Sequence, residues 1–181
     1  SANPIEIISL TIYIKSKQDS AMQYPVIEST WITDNKNEID LDKVHHFLKT
    51  TYWSKDIPKE VVQKALRNSL VGGWLAEDQL IGFGRPITDY ATFAYLADIY
   101  VKPEFRGKGY SKVIIKALLD KSGSEILRRI LLATADAHGL YRKFDFKDLG
   151  KPEDFLEINK PQIYQQVTWK YCSSINKRIK I

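Results

Sequence analysis

The chain has 181 residues, 44% of them hydrophobic and 27% charged, which fits one domain with a full core and excludes both a disordered chain and an α-helical membrane span. Its net charge of +5 favours anionic partners, a demand that a polyphosphate cofactor meets as well as nucleic acid does. Cys172 is the single cysteine, which excludes an intramolecular disulfide and a cysteine metal cluster. The opening residues lack the basic stretch of a secretory signal, so a cytoplasmic protein is expected.

In chain order, Ile5 to Lys15 favours a strand, set apart by the polar run Ser16 to Met22. Val26 to Thr33 predicts the first core strand, closed by the turn Thr33 to Asn37. Asp40 offers an N-cap, and Leu41, Val44, Phe47 and Leu48 recur at helical spacing to about Thr50. Pro58 suits a first helical position, and Val61, Val62, Ala65, Leu66 and Ser69 make a second stripe to about Leu70. Between these helices lies the aromatic-rich connection Thr51 to Pro58, which either lines a pocket or covers the core; Trp53 in it is the candidate for substrate binding.

Gly73 to Ala76 and Leu80 to Ile87 predict a hairpin, and a turn at Thr88-Asp-Tyr90 leads into Ala91 to Val101. Simple alternation groups Phe93, Tyr95, Ala97, Ile99 and Val101 on one face and Ala94, Leu96, Asp98 and Tyr100 on the other; both are largely apolar, as in a central strand. The next stretch, Arg106-Gly-Lys-Gly109, reads as an anion-binding loop that opens a helix carrying Val113, Ile114, Ala117 and Leu118 on one side. Lys121 to Ser124 ends that helix, and Arg129 to Ala133 is a short buried strand, so strand, helix and strand predict a right-handed parallel crossover. Asp136 is expected to cap a short helix bearing His138, Leu140 and Tyr141. Weaker strand signals follow at Phe146 to Leu149, Phe155 to Ile158 and Ile163 to Trp169, before a basic tail.

The order of these elements, with Tyr100-Val-Lys-Pro-Glu-Phe-Arg-Gly-Lys-Gly-Tyr-Ser111 and Leu140-Tyr-Arg-Lys-Phe-Asp-Phe146, resembles the GNAT superfamily of N-acetyltransferases. The resemblance implies an α/β (α+β) fold with a mixed, mostly antiparallel central sheet flanked by helices and a strand-helix-strand crossover after the acyl-CoA loop. It covers roughly Val26 to Ile158, so the chain divides into an N-terminal extension (1–24), an acetyltransferase domain (25–160) and a C-terminal strand or basic extension (161–181). The family's loop pattern, Gln/Arg-x-x-Gly-x-Gly/Ala, falls on Arg106, Gly107, Lys108, Gly109, Tyr110 and Ser111. The last place departs from it, since Ser111 replaces Gly or Ala; it is small and can cap a helix, so pyrophosphate binding is expected to survive. Backbone N–H groups near Ile99, Tyr100 and Val101 would hold the thioester carbonyl where the central strand splays from its neighbour. A tyrosine at the place of Tyr141 commonly protonates the departing thiolate in that family, and Asp145 stands where the family often has glycine. The implied reaction moves an acetyl group from acetyl-CoA to the primary amine of a small molecule or peptide by direct attack in a ternary complex. A catalytically inactive acyl-CoA-binding module is the alternative.

Other residues are read from their chemistry. Asp98 among apolar neighbours must be paired, hydrated or functional: it either takes a proton from an amine or is held by Arg85, Arg128 or Arg129. His138 precedes Tyr141 by three residues and either binds the acceptor or acts as a surface group. His45 and His46 read as structural, no metal motif occurs, and neither a nucleic-acid partner nor a membrane is expected. A monomer or homodimer is expected.

Overall fold

A computed structural model describes residues 29–33, 40–76 and 79–166. The proposed strand at Ile5 to Lys15, most of the turn at Thr33 to Asn37 and the basic tail lie outside these residues. Five strands, β1 (Ser29–Thr33), β2 (Val71–Ala76), β3 (Gln79–Thr88), β4 (Phe93–Val101) and β5 (Arg129–Leu131), form one sheet in the order β1-β2-β3-β4-β5. The first four are antiparallel neighbours, and β5 is parallel to β4. Helices α1 (Leu41–Leu48) and α2 (Lys59–Arg67) precede β2, α3 (Tyr110–Lys121) connects β4 to β5, and the single turns α4 (His138–Tyr141) and α5 (Ile163–Gln166) follow. The mixed, mostly antiparallel sheet flanked by helices, with its crossover through α3, is the architecture expected from the sequence.

The core divides between two clusters. Val44, Phe47 and Leu48 of α1, Val62 and Leu66 of α2 and Ile57 between them bury against Val71, Leu80 and Phe83. Val113, Ile114, Ile115 and Leu118 of α3 bury against Trp74, Ile81, Leu96 and Val101, with Tyr141 at the margin. Full burial of each large aliphatic side chain contributes about 1.5–3 kcal/mol, so the apolar stripes, rather than the helix propensity of such short segments, hold α1 to α3 in place. Three glycines let α3 lie close to the sheet: a Cβ on Gly72, Gly82 or Gly84 would collide with Leu118 or Ile114.

Strict alternation along β4 fails, and the failure has a local cause. Phe83 pairs with Tyr100 and Arg85 with Ala97, so two steps on β3 face three on β4. The extra residue makes a β-bulge at Asp98, whose φ of 57° is left-handed. Side-chain phase therefore flips there. Leu96, Ile99 and Val101 join the α3 cluster, whereas Tyr100 packs with the α1–α2 cluster.

Smaller departures lie at element ends. Pro58 is the N-cap of α2 rather than its first residue. Asp136 does not cap α4; the Thr134 hydroxyl accepts from Ala137 N–H at 3.1 Å instead. Phe146 to Leu149 and Phe155 to Ile158 form no strand, because Gly150 and Pro152 interrupt the segment and Pro152 opens a 3₁₀ turn. Ile163 to Gln166 is a helical turn rather than part of a strand.

Candidate active site

The site begins where two strands part. Pairing of β4 with β5 involves only Phe93, Tyr95 and the residue between them. From Leu96 to Val101 the edge of β4 turned away from β3 has no strand partner among the described residues. That length of strand, with Ile99, Tyr100 and Val101, presents backbone donors and acceptors along an opening in the sheet.

The open edge leads directly into the glycine loop. Gly107 and Gly109 have φ values of 75° and 86°, a conformation that costs other L-residues roughly 1–2 kcal/mol. Gly109, not Ser111, is the N-cap of α3. Ser111 sits in the first turn, because the intrahelical bonds start with Lys112 and Val113 donating to Gly109 O. The N–H groups of Tyr110 and Ser111 thus stand at a helix start with no acidic residue in its first turn, where the helix dipole favours an anion. Arg106 turns back to the strand: its Nε donates to Val101 O at 3.0 Å and its guanidinium lies 5.8 Å from the Tyr100 ring centre. The Lys108 ammonium lies 5.4 Å from the Phe105 ring centre. Both cations brace the loop while adding charge to it.

Tyr141, the last residue of α4, is buried in the cluster that holds Leu96 and Val101 of β4 and stands 5.9 Å from Phe146 in an edge-to-face contact. Burial pushes its phenol up to about 12, and the nearby Tyr52, Asp136 and Tyr95 push in the same direction. A phenol so placed keeps its proton throughout the physiological range. His138, at the start of the same turn, is exposed, so the two residues do not share a buried face.

Asp98 is paired. Its Oδ2 accepts from Arg85 Nε at 2.8 Å and its Oδ1 from Trp53 Nε1 at 3.1 Å, and Arg85 Nη1 donates in turn to Ser69 Oγ at 2.8 Å. Of the three arginines proposed from the sequence, Arg85 is the partner; Arg129 lies over the Phe155 ring.

The α1–α2 connection reaches this region as a built loop. His45 Nε2–H donates to Ile57 O at 2.9 Å and Thr51 Oγ1 to Leu48 O at 2.7 Å, which confirms His45 in a structural role. Tyr52 and Trp53 project from it with rings 4.9 Å apart. The Tyr52 hydroxyl accepts from Ala135 N–H at 3.3 Å, joining residues 83 positions apart. Sequence reasoning singled out Trp53 and flagged Tyr52 only as part of an aromatic-rich connection; the bond from Ala135 N–H to its hydroxyl joins two loops and has no local signal.

Among the described residues no helix is long and apolar enough to cross a membrane, and no cluster of His, Cys, Asp and Glu could hold a metal.

Residues 35–146 match the acetyltransferase (GNAT) family model. A crystal structure of a GNAT acetyltransferase from Xanthomonas campestris superposes with a TM-score of 0.71 at 38% identity, covering 78% of this chain and 99% of that one. A Clostridium acetobutylicum acetyltransferase crystallised with acetyl-CoA shares the fold at 15% identity, with a TM-score of 0.57 over 72% of this chain and 95% of its own. The thialysine N-epsilon-acetyltransferase of Bos taurus is 37% identical over 82 residues, 41% of this chain and 48% of that protein. Matches to curated relatives span between 48% and 71% of those proteins' lengths. With more than half of its residues matching the family model, the chain belongs to the acetyltransferase (GNAT) family.

Proposed function

We propose that this chain transfers an acetyl group from acetyl-CoA to the primary amine of a small molecule or peptide, by direct attack in a ternary complex. The observation that carries this reading is the continuity of the open β4 edge, from Leu96 to Val101, with the left-handed glycines and free helix start of the 106–111 loop. The fit to the cofactor is good: the helix start suits a pyrophosphate, and an unpaired strand edge suits an amide-bearing arm and a polarised carbonyl.

Acetyl-CoA supplies the activated thioester. The loop Arg106, Gly107, Lys108, Gly109, Tyr110 and Ser111 anchors its phosphates, and N–H groups near Ile99, Tyr100 and Val101 orient the carbonyl. As the amine nitrogen bonds to the carbonyl carbon and the carbon–sulfur bond breaks, Tyr141 gives its phenolic proton to sulfur and regains one from solvent. The proton lost by the amine goes to water. Both Asp98 oxygens already accept hydrogen bonds, which favours Asp98 as the residue that positions Trp53 and Arg85, with direct proton removal as its alternative role. Trp53 and His138 border the acceptor side.

Thiol release from acetyl-CoA with a broad amine panel tests the reading, alongside direct binding of acetyl-CoA. Release with at least one amine is expected; tight binding without release across the panel would leave an acyl-CoA-binding module.

A further inference from the structure

β4 and β5 run side by side only as far as Tyr95 and Leu131. Beyond that step no strand pairing joins the two arms among the described residues, so side chains must set their spacing. The two faces of the sheet do this differently. Leu80 and Ile81 are consecutive on β3 yet bury in different clusters, which puts α3 on one face and α1 and α2 on the other. On the α3 face the arms share one packed core, in which Leu132 and Ala137 meet the cluster that holds Leu96 and Val101. On the other face the tie comes from the α1–α2 connection. Trp53 Nε1–H donates to Asp98 Oδ1, three residues past Tyr95 on one arm, and the Tyr52 hydroxyl accepts from Ala135 N–H, four residues past Leu131 on the other. Tyr52 and Trp53 adjoin in sequence, and their rings meet edge to face at 4.9 Å. Two neighbouring residues thus reach opposite arms of the fork at matching depth.

The two feet are unequal. Asp98 is held by Arg85 at 2.8 Å, and Arg85 in turn by Ser69 just past α2, so the foot on β4 is fixed. Ala135 is exposed, and a single bond of 3.3 Å makes the other foot. Tyr52 is itself 63% exposed, so burial does not hold it there. We propose that Tyr52 and Trp53 form a strap across the fork, and that Tyr52, through its hydroxyl, is a positioning residue for acetyl transfer. It sets the distance between the β4 edge and the segment that runs from Ala135 to Tyr141. Backbone donors on one arm and a proton donor on the other serve a single reaction only while their separation is fixed, because small misplacements of reacting groups are costly. The part assigned to Tyr52 in turnover rests on the transfer proposed above; the strap itself does not.

Tyr52→Phe deletes the hydroxyl and keeps a ring against Trp53, so it separates the strap from simple packing. Amide hydrogen exchange followed by NMR on the full chain reads the weaker foot directly. Ala135 N–H is expected to exchange about fivefold faster in Tyr52→Phe than in the parent, as the loss of one hydrogen bond implies. With a reactive amine, kcat is expected to fall about fivefold while acetyl-CoA affinity stays within about twofold. Tyr52→Leu should behave as Tyr52→Phe does, because both lack the hydroxyl; ring packing alone would leave the Phe variant like the parent and impair only the Leu variant. Unchanged Ala135 exchange in Tyr52→Phe overturns the strap, and an unchanged kcat overturns the positioning role. Faster Ala135 exchange, with no amine acetylated even by the parent, would uphold the strap while removing the enzymatic reading, and transfer by a parent whose Ala135 exchange does not depend on the hydroxyl would do the reverse.

Discussion

Arg85 Nε stands 2.8 Å from Asp98 Oδ2 across the β3–β4 ladder, at the step where that ladder slips register. The side chains are only 13% and 11% exposed, so either charge left alone would be poorly hydrated. Removing one partner of a buried pair typically costs about 3–5 kcal/mol. We expect Asp98→Ala and Arg85→Ala each to lower stability by about 3 kcal/mol, with the double variant well short of the sum. Chemical denaturation of the four proteins measures this. Strictly additive losses would mean that the pair is not coupled. If Asp98 positions rather than takes the proton, Asp98→Asn should retain most turnover and an unshifted pH profile at temperatures where it is folded.

Tyr141 offers the sharpest test of the proposed proton donor. General acid catalysis contributes roughly 10²–10⁴-fold, so Tyr141→Phe should lower kcat by about 10²-fold or more. Acetyl-CoA affinity, carried by the 106–111 loop and the β4 edge, should stay within about twofold on the order-of-magnitude reading of uniform binding. Equal kcat in the two proteins would remove the acid role.

The same residue sets an alkaline limit on the fold. With its folded value raised to about 12 from 10 in the unfolded chain, Tyr141 binds a proton in the folded state that the unfolded state has lost between these values. Stability therefore is unaffected by this group below pH 10 and falls as pH rises toward 12, by up to about 2 kcal/mol. Tyr141→Phe should lose less stability than the parent between pH 10 and 12, and absorbance near 295 nm should show one fewer late-titrating tyrosine. Parallel losses in both proteins would contradict the burial argument.

The glycine loop can be tested by conformation and by charge separately. No atom lies within 4 Å of a Cβ built on Gly107, so Gly107→Ala meets only backbone strain at φ 75° and should cost about 1–2 kcal/mol, together with a weakened hold on acetyl-CoA. Gly109→Glu puts a carboxylate at the N-cap of α3 and should abolish acetyl-CoA binding by like charge. Unchanged binding in the Glu variant would displace the phosphates from this loop.

Much of this architecture was legible in the sequence because period and punctuation agree. Leu41, Val44, Phe47 and Leu48 mark α1, and Arg106 to Gly109 separates the run that became β4 from the stripe of α3. Alternation could not reveal the bulge at Asp98, because a single added residue changes the phase of a strand without changing its composition. Nor could it reveal the Tyr52–Ala135 bond, which depends on two loops meeting in space. The strand signals after Phe146 failed for another reason: short apolar runs specify a strand only when an edge receives them, and turn-forming Gly150 and Pro152 compete locally. Trp53 was legible only as an aromatic in a connection, while its tie to Asp98 needed the bulge to turn that carboxylate toward it.

Asp145 shows how the chain keeps a glycine-like turn without glycine. It ends the 3₁₀ turn Arg142–Phe144 with a φ of 64° and donates its N–H to Arg142 O at 3.3 Å, delivering Phe146 to its contact with Tyr141. Asp tolerates the left-handed region better than most residues, yet still carries a Cβ there. Asp145→Gly should therefore relieve strain, offset in part by the greater freedom of glycine in the unfolded chain, for a net gain between about 0 and 1 kcal/mol. Asp145→Val, β-branched and intolerant of positive φ, should cost more than about 1 kcal/mol and, by moving Phe146, lower turnover through Tyr141. Thermal unfolding and kcat measured together on both variants decide this: a Val variant as stable and as active as the parent would show that the turn does not position Tyr141.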